Sequence, residues 1–94
     1  MRSSGSRRAT DLTVTGRVQG VNFRAAAAQQ ATRLGVGGWV RNEPDGSVAL
    51  HAEGDADAVE AFVRWLYEGP RFARVHHVDA RPAQDGAAVE FRIQ

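Results

Sequence analysis

The chain has 94 residues, 43% hydrophobic and 24% charged, which suits one folded domain with a single core and excludes a wholly disordered or collagen-like chain. It contains no cysteine, so neither a disulfide framework nor a thiolate catalyst is available. The net charge is +1, and the basic residues, all arginines, are scattered instead of forming a stripe suited to a nucleic-acid backbone.

We expect no targeting signal at the start of the chain. No apolar run approaches the ~20 residues of a membrane span, and residues 1–8 lack the hydrophobic stretch of a secretory signal. We therefore expect a cytoplasmic monomer that binds neither membranes nor nucleic acid. Arginine, serine and glycine dominate the first residues, which predicts a disordered N-terminal tail over residues 1–9 and one domain over residues 10–94.

The first half of the domain reads as a strand, a helix and a hairpin. Alternation of apolar and polar residues predicts a strand over Asp11–Val18. Apolar residues at helical spacing predict a helix over Phe23–Leu34, which ends at Gly35. Strands over Val36–Arg41 and Ser47–Ala52 flank a short connection that contains proline and glycine, so we expect them to pair antiparallel.

The second half supplies one helix and two strands. Asp55 is a suitable N-cap for a second helix, which Gly69-Pro70 ends. Strands are predicted over Arg74–Ala80 and Ala88–Ile93. The order β-α-β-β-α-β predicts an α+β protein with the ferredoxin-like α/β sandwich, an antiparallel sheet with two helices on one face. This fold hosts many functions, so the site must indicate the activity.

The segment from Gly16 to Arg24 carries the clearest indication of function. It runs from the first strand through a glycine-containing loop into a helix that opens with an arginine. Such a loop can turn its main-chain N–H groups inward, and the helix N-terminus adds unpaired N–H groups and a positive dipole, which together suit a phosphate. Arg24 would add a planar fork that matches two phosphoryl oxygens. The predicted phosphate-binding residues are Gln19, Gly20, Val21, Asn22, Phe23 and Arg24.

Several segments together resemble the acylphosphatase family. They are Gly16 to Arg24, Gly35 to Asn42, Asp45 to Val48, Glu53-Gly54 and Gly69-Pro70. The resemblance covers the chain from the first strand to the end and leaves only the tail outside.

The resemblance implies an enzyme that hydrolyses the carboxyl-phosphate bond of small acyl phosphates to a carboxylate and orthophosphate. It implies that Arg24 holds the phosphate and that Asn42 positions the attacking water. No cofactor is implied, and we expect no metal. The chemistry is compatible, because the leaving carboxylate belongs to an acid with a pKa of about 4 and needs no general acid. The chain departs from the family at Ala25 to Ala27, where relatives often carry an aromatic and a hydroxyl residue.

A non-catalytic phosphate- or RNA-binding module on the same fold is the alternative. An RNA binder would carry aromatic residues on the central strands, where Val14, Val48 and Leu50 stand. A phosphate-binding regulatory domain would keep the loop and lose Asn42. The acylphosphatase-like segment of a larger carbamoyl-transferring maturation protein is another possibility, but no zinc-ligand cysteines follow, and we expect a self-contained protein.

Overall fold

A computed structural model describes residues 6–94, which form two helices and one five-stranded sheet. The strands and helices are β1 (Arg7–Arg17), α1 (Phe23–Leu34), β2 (Gly37–Asn42), β3 (Val48–Asp55), α2 (Ala56–Glu68), β4 (Arg74–Pro82) and β5 (Phe91–Ile93). All the predicted elements are present, although the terminal strand is shorter than predicted. Asp55 occupies the N-cap position of α2, but within this part of the chain its side chain makes no capping hydrogen bond.

The strand order β4-β1-β3-β2-β5 confirms the ferredoxin-like prediction. β1 pairs antiparallel with β3 and β4, and β2 pairs antiparallel with β3. Each helix therefore joins two strands that have a third strand between them. β5 pairs parallel with β2, so the sheet is mixed and not antiparallel throughout. The prediction of a fully antiparallel sheet fails because the chain crosses from β4 at one edge of the sheet to β5 at the other edge. There β5 runs in the same direction as its neighbour β2.

The core lies between the helices and one face of the sheet. Alternate residues of the central strands point into it, and both helices contribute an apolar stripe, as their spacing predicts. Apart from Phe23, the residues that α1 buries are alanines, whereas α2 buries larger side chains. The fully buried helix residues are Phe23, Ala27, Ala31, Val59, Phe62 and Leu66.

The domain begins earlier than predicted. β1 starts at Arg7, and residues 7–9 pair with residues 53–55 of β3, so these residues belong to the sheet and not to a disordered tail. Ala9 is only 9% exposed. Local composition alone indicated disorder here, but pairing with the long β3 provides hydrogen-bond partners for the main-chain N–H and C=O groups. The rest of the predicted tail, residues 1–5, lies outside the described residues. Neither helix in residues 6–94 combines the length and hydrophobicity needed to cross a membrane.

A hydrogen-bonded network on the face of the sheet opposite the helices holds the connection between β4 and β5. His51 Nδ1 lies 2.7 Å from Asp11 Oδ1, and His51 Nε2 lies 2.6 Å from Glu53 Oε2. Glu53 is buried, and its other oxygen accepts hydrogen bonds from the main-chain N–H groups of Gly86 and Ala88. Burial lowers the pKa of His51, but the two carboxylate contacts outweigh burial and raise the pKa above its ordinary value.

This network predicts a pH-dependent stability. We expect His51→Phe to lower the free energy of unfolding by about 1–3 kcal/mol near pH ~6, because the buried Glu53 carboxylate loses a charged donor. The folded-state pKa of His51 is raised, so its contribution is complete below the unfolded value of about 6.5 and is lost as pH rises through the folded value.

Urea titrations of the parent and His51→Phe, at pH ~6 and pH ~9, measure this effect. The difference in free energy of unfolding between the two proteins should shrink at the higher pH. His77→Phe is the matched control, since His77 is an exposed histidine on β4. An equal difference at both pH values would contradict the charged His51 network.

Candidate active site

The loop between β1 and α1, residues 18–22, has a backbone shape typical of an anion-binding loop. Gly20 and Asn22 both adopt left-handed conformations, with φ of +76° and +66°, which glycine takes freely and asparagine tolerates. No carbonyl or carboxylate among residues 6–94 accepts a hydrogen bond from the main-chain N–H groups of residues 19–25. These donors, at the end of a loop and in the first turn of a helix, are available to an anion.

Arg24 lies in the first turn of α1, where a contact with the end of the chain holds its side chain. Its Nη1 donates to the main-chain oxygen of Gln94 over 2.7 Å, and the N–H of Gln94 in turn donates to the oxygen of Val40 on β2 over 2.8 Å. That contact uses one of the five N–H donors of the guanidinium. Arg24 forms no ion pair with an aspartate or glutamate side chain in residues 6–94.

Asn42 is the last residue of β2 and stands where the β2–β3 hairpin begins. Its carboxamide is exposed and forms no hydrogen bond with another residue in the described part of the chain. Two hydrogen bonds stabilise the hairpin loop beyond it: the hydroxyl and the N–H of Ser47 donate to Asp45 Oδ1 over 2.6 and 2.9 Å. The hydroxyl contact is the main cause that lowers the pKa of Asp45, with the N–H contact second.

The side chain of Gln19 ties the loop to this hairpin. Its Nε2 donates to the main-chain oxygens of Glu43 and Ser47, each over 2.8 Å. Glu43 immediately follows Asn42, so two hydrogen bonds link the loop before α1 to the segment that carries Asn42. The sequence predicted only a main-chain role for Gln19, and the structure adds this side-chain role.

Arg24 and Asn42 line one small cavity of about 210 Å³. Of the predicted phosphate-binding residues, Gly20, Asn22 and Phe23 also line it, whereas Gln19 and Val21 do not. The side chain of Gln19 is engaged at the hairpin, and that of Val21 packs against the core. The structure thus brings the two predicted catalytic side chains together, although they are eighteen positions apart.

The contributors from the end of the chain escaped the sequence analysis: Ile93 lines the cavity, and Gln94 is the acceptor for Arg24. The parallel pairing of β5 with β2 places Ile93 and Gln94 beside the β1–α1 loop. The local sequence of β5 does not show where this strand will lie in the sheet, so it could not predict their position. Ala25, where the sequence departs from the family pattern, also lines the cavity, and Ala27 is buried in the core.

The cavity is electropositive. None of its lining residues is acidic, and it combines the Arg24 guanidinium with the first turn of α1. Among residues 6–94, no three or more histidine, aspartate or glutamate side chains are arranged to hold a metal ion. The arrangement can therefore bind a small anion beside a carboxamide that both donates and accepts hydrogen bonds.

Comparison with known proteins decides the family. The family model for acylphosphatase matches residues 10–93. The chain belongs to the acylphosphatase family. An acylphosphatase of Nocardioides sp. is 59% identical over 88 residues, which cover 94% of this chain and 89% of that protein. An acylphosphatase of Salinibacter ruber is 48% identical over 92 residues, which cover 97% of each protein.

Solved structures agree with this assignment. The structure of an acylphosphatase from Coxiella burnetii superposes with a TM-score of 0.90 and is 35% identical, covering 95% of this chain and 94% of that one. The resemblance inferred from the motifs is thereby confirmed, as is the prediction of an enzyme of the acylphosphatase family. The roles of individual residues at the site stay predictions.

Proposed function

We propose that this acylphosphatase-family chain hydrolyses acyl phosphates to a carboxylate and orthophosphate in the Arg24–Asn42 cavity. One observation carries the proposal: a single small cavity is lined by Arg24, by Asn42 and by residues whose main-chain N–H groups have no internal acceptor, among them Gly20, Asn22 and Phe23. A pocket of about 210 Å³ suits a phosphoryl group and excludes a large ligand from full enclosure. The family membership of the chain supports the same reaction.

The phosphoryl group binds through main-chain donors and Arg24. The main-chain N–H groups of Gly20, Asn22 and Phe23 contact its oxygens, and the N–H groups that Arg24 does not use on Gln94 form the charged part of the site. The contact with Gln94 holds the guanidinium before substrate arrives, so little reorganisation is needed as charge develops on the phosphoryl oxygens. Substrate binding and transition-state stabilisation thus use the same groups.

Asn42 orients the attacking water. Its carboxamide oxygen accepts a hydrogen bond from the water, while the phosphoryl group is held beside it in the phosphate cradle, which is formed by Arg24 and the main-chain N–H groups of the β1–α1 loop and the first turn of α1. The water oxygen forms a bond to phosphorus, the bond from phosphorus to the acyl oxygen breaks, and the carboxylate leaves with the electron pair. The leaving group needs no proton, since its acid has a pKa of about 4. The proton of the water passes to a phosphoryl oxygen, because an amide is no base at neutral pH.

Gln19 acts as a positioning residue in this scheme. We expect Gln19→Leu to lower kcat about 10-fold, because the hairpin that carries Asn42 loses both hydrogen bonds to the loop and small displacements of a positioning group are costly. Inhibition by orthophosphate should change much less, since Arg24 and the main-chain donors are kept. Gln29→Leu, at an exposed glutamine on α1, is the matched control. A parallel loss of kcat and orthophosphate affinity would indicate a collapsed loop instead.

The proposed reaction is tested with benzoyl phosphate, whose hydrolysis is followed by ultraviolet absorbance. We expect turnover by the parent protein in the presence of a metal chelator, and competitive inhibition by orthophosphate. A folded parent that binds orthophosphate without turnover would favour the non-catalytic phosphate-binding module. Indifference to orthophosphate would contradict an anion cradle at the loop.

We also infer a cytoplasmic monomer that acts without a cofactor and binds no nucleic acid. The absence of cysteine supports the cytoplasmic location, and the scattering of the arginines along the sequence supports the absence of nucleic-acid binding. Analytical ultracentrifugation measures the oligomeric state, and a dimer at micromolar concentration would contradict the expected monomer.

A further inference from the structure

A second cavity adjoins the first at the loop before α1. It is an open groove of about 710 Å³ between the end of β1, the loop and the α2–β4 connection. Gly20 and Asn22 line both cavities, so the groove begins where the phosphate cradle ends. Three arginines line the groove: Arg17, Arg71 and Arg74.

The groove carries uncompensated positive charge. None of its lining residues is acidic, and none of its three arginines forms an ion pair with a carboxylate among residues 6–94. Four other arginines of the described chain do pair with carboxylates: Arg7, Arg41, Arg81 and Arg92. Of the seven arginines in residues 6–94 that form no ion pair with a carboxylate side chain, three line the groove and a fourth, Arg24, lines the adjoining cavity.

The sheet register adds an independent observation. Arg17 and Arg74 stand directly opposite each other in the antiparallel pairing of β1 with β4, so their side chains leave the sheet on the same side. Like charges in that arrangement destabilise a sheet. Gly16 makes the arrangement possible, because a Cβ there would overlap the carbonyl oxygen of Arg74. An anion bound between the two guanidinium groups relieves their repulsion.

The position of the groove indicates what that anion belongs to. The groove shares Gly20 and Asn22 with the first cavity, so the acyl part of a substrate whose phosphoryl group is bound there can extend into the groove. The groove is the adjoining space with the larger volume, and its side chains select for negative charge.

We propose that Arg17, Arg71 and Arg74 form a specificity site for acyl phosphates whose acyl part carries a second anionic group, a carboxylate or a phosphate. The inference rests on the proposed function, since it assigns a substrate class to that same site. The three arginines bind the remote anion and take no part in bond breaking. Because they are exposed, each contributes a modest factor that salt reduces.

Two substrates of matched shape test the proposal. 4-Carboxybenzoyl phosphate carries the remote anion, and 4-carbamoylbenzoyl phosphate replaces it with a neutral amide of similar size. The measured quantity is the ratio of kcat/KM for the charged substrate to kcat/KM for the neutral one. Differences in intrinsic reactivity cancel when this ratio is compared between variants.

We expect Arg17→Gln, Arg71→Gln and Arg74→Gln each to lower the ratio about 2- to 5-fold. The matched control Arg64→Gln, at an exposed arginine on α2 that forms no ion pair in residues 6–94, should leave the ratio unchanged. Raising NaCl from about 0.05 M to about 0.5 M should lower the ratio of the parent, because salt screens exposed charges.

The outcomes separate the two proposals. If the parent hydrolyses both substrates and the three groove variants keep the parental ratio, the specificity site is wrong and the proposed function stands. The same conclusion follows if Arg64→Gln lowers the ratio as much as they do. If the folded parent hydrolyses neither substrate, the proposed function itself is overturned.

Discussion

Replacing Arg24 with alanine is expected to lower kcat/KM for benzoyl phosphate on the order of 100-fold or more. Arg24 lines the cavity, its guanidinium is oriented by the main-chain oxygen of Gln94, and it forms no ion pair with an aspartate or glutamate side chain in residues 6–94. The guanidinium N–H groups bind the phosphoryl oxygens most strongly in the transition state, where the distribution of negative charge on these oxygens changes. Replacing Arg24 removes these charged donors. The side chain is only half-buried, so the variant should still fold.

Arg24→Lys sharpens this prediction. An ammonium restores the charge but not the planar fork, and it cannot donate to Gln94 and to two phosphoryl oxygens in the same geometry. We therefore expect only partial recovery. Arg33→Ala, which removes an exposed arginine from the last turn of the same helix, is the matched control. Full activity of Arg24→Lys would show that charge alone is needed and would contradict a bidentate contact.

Replacing Asn42 with alanine is the second prediction of a large effect. We expect kcat for benzoyl phosphate to fall on the order of 100-fold, because the attacking water loses its orienting group. Inhibition by orthophosphate should be nearly unchanged, since the cradle and Arg24 remain. This division between kcat and anion binding distinguishes Asn42 from Arg24, whose loss weakens both.

Two variants control the Asn42 experiment. Asn42→Asp has nearly the same shape but places a negative charge beside the phosphoryl group, so orthophosphate inhibition should also weaken. Gln84→Ala removes an exposed carboxamide from the β4–β5 connection and should leave kcat unchanged. A normal kcat in folded Asn42→Ala would assign water orientation to another group.

Local patterns predicted most of the elements correctly because the forces behind them are local. The helical spacing from Phe23 to Leu34 and the left-handed Gly35 after it determine both limits of α1. Proline and glycine in the β2–β3 connection fix that hairpin in the same way. The tail prediction was wrong at residues 7–9, because their strand is stabilised by pairing with residues 53–55, distant in sequence.

The sequence by itself determined the order of the elements, the family and the two side chains expected to act, since periodicity, turn residues and a contiguous motif are all written along the chain. Only the tertiary structure decided that Arg24 and Asn42 line one cavity, that Gln94 orients Arg24 and that Gln19 ties the loop to the hairpin. These contacts depend on strand register and on the parallel docking of β5 against β2. Such pairings join segments that are far apart in sequence. Burial of the whole core and main-chain hydrogen bonding across the sheet determine them, so no local pattern encodes them.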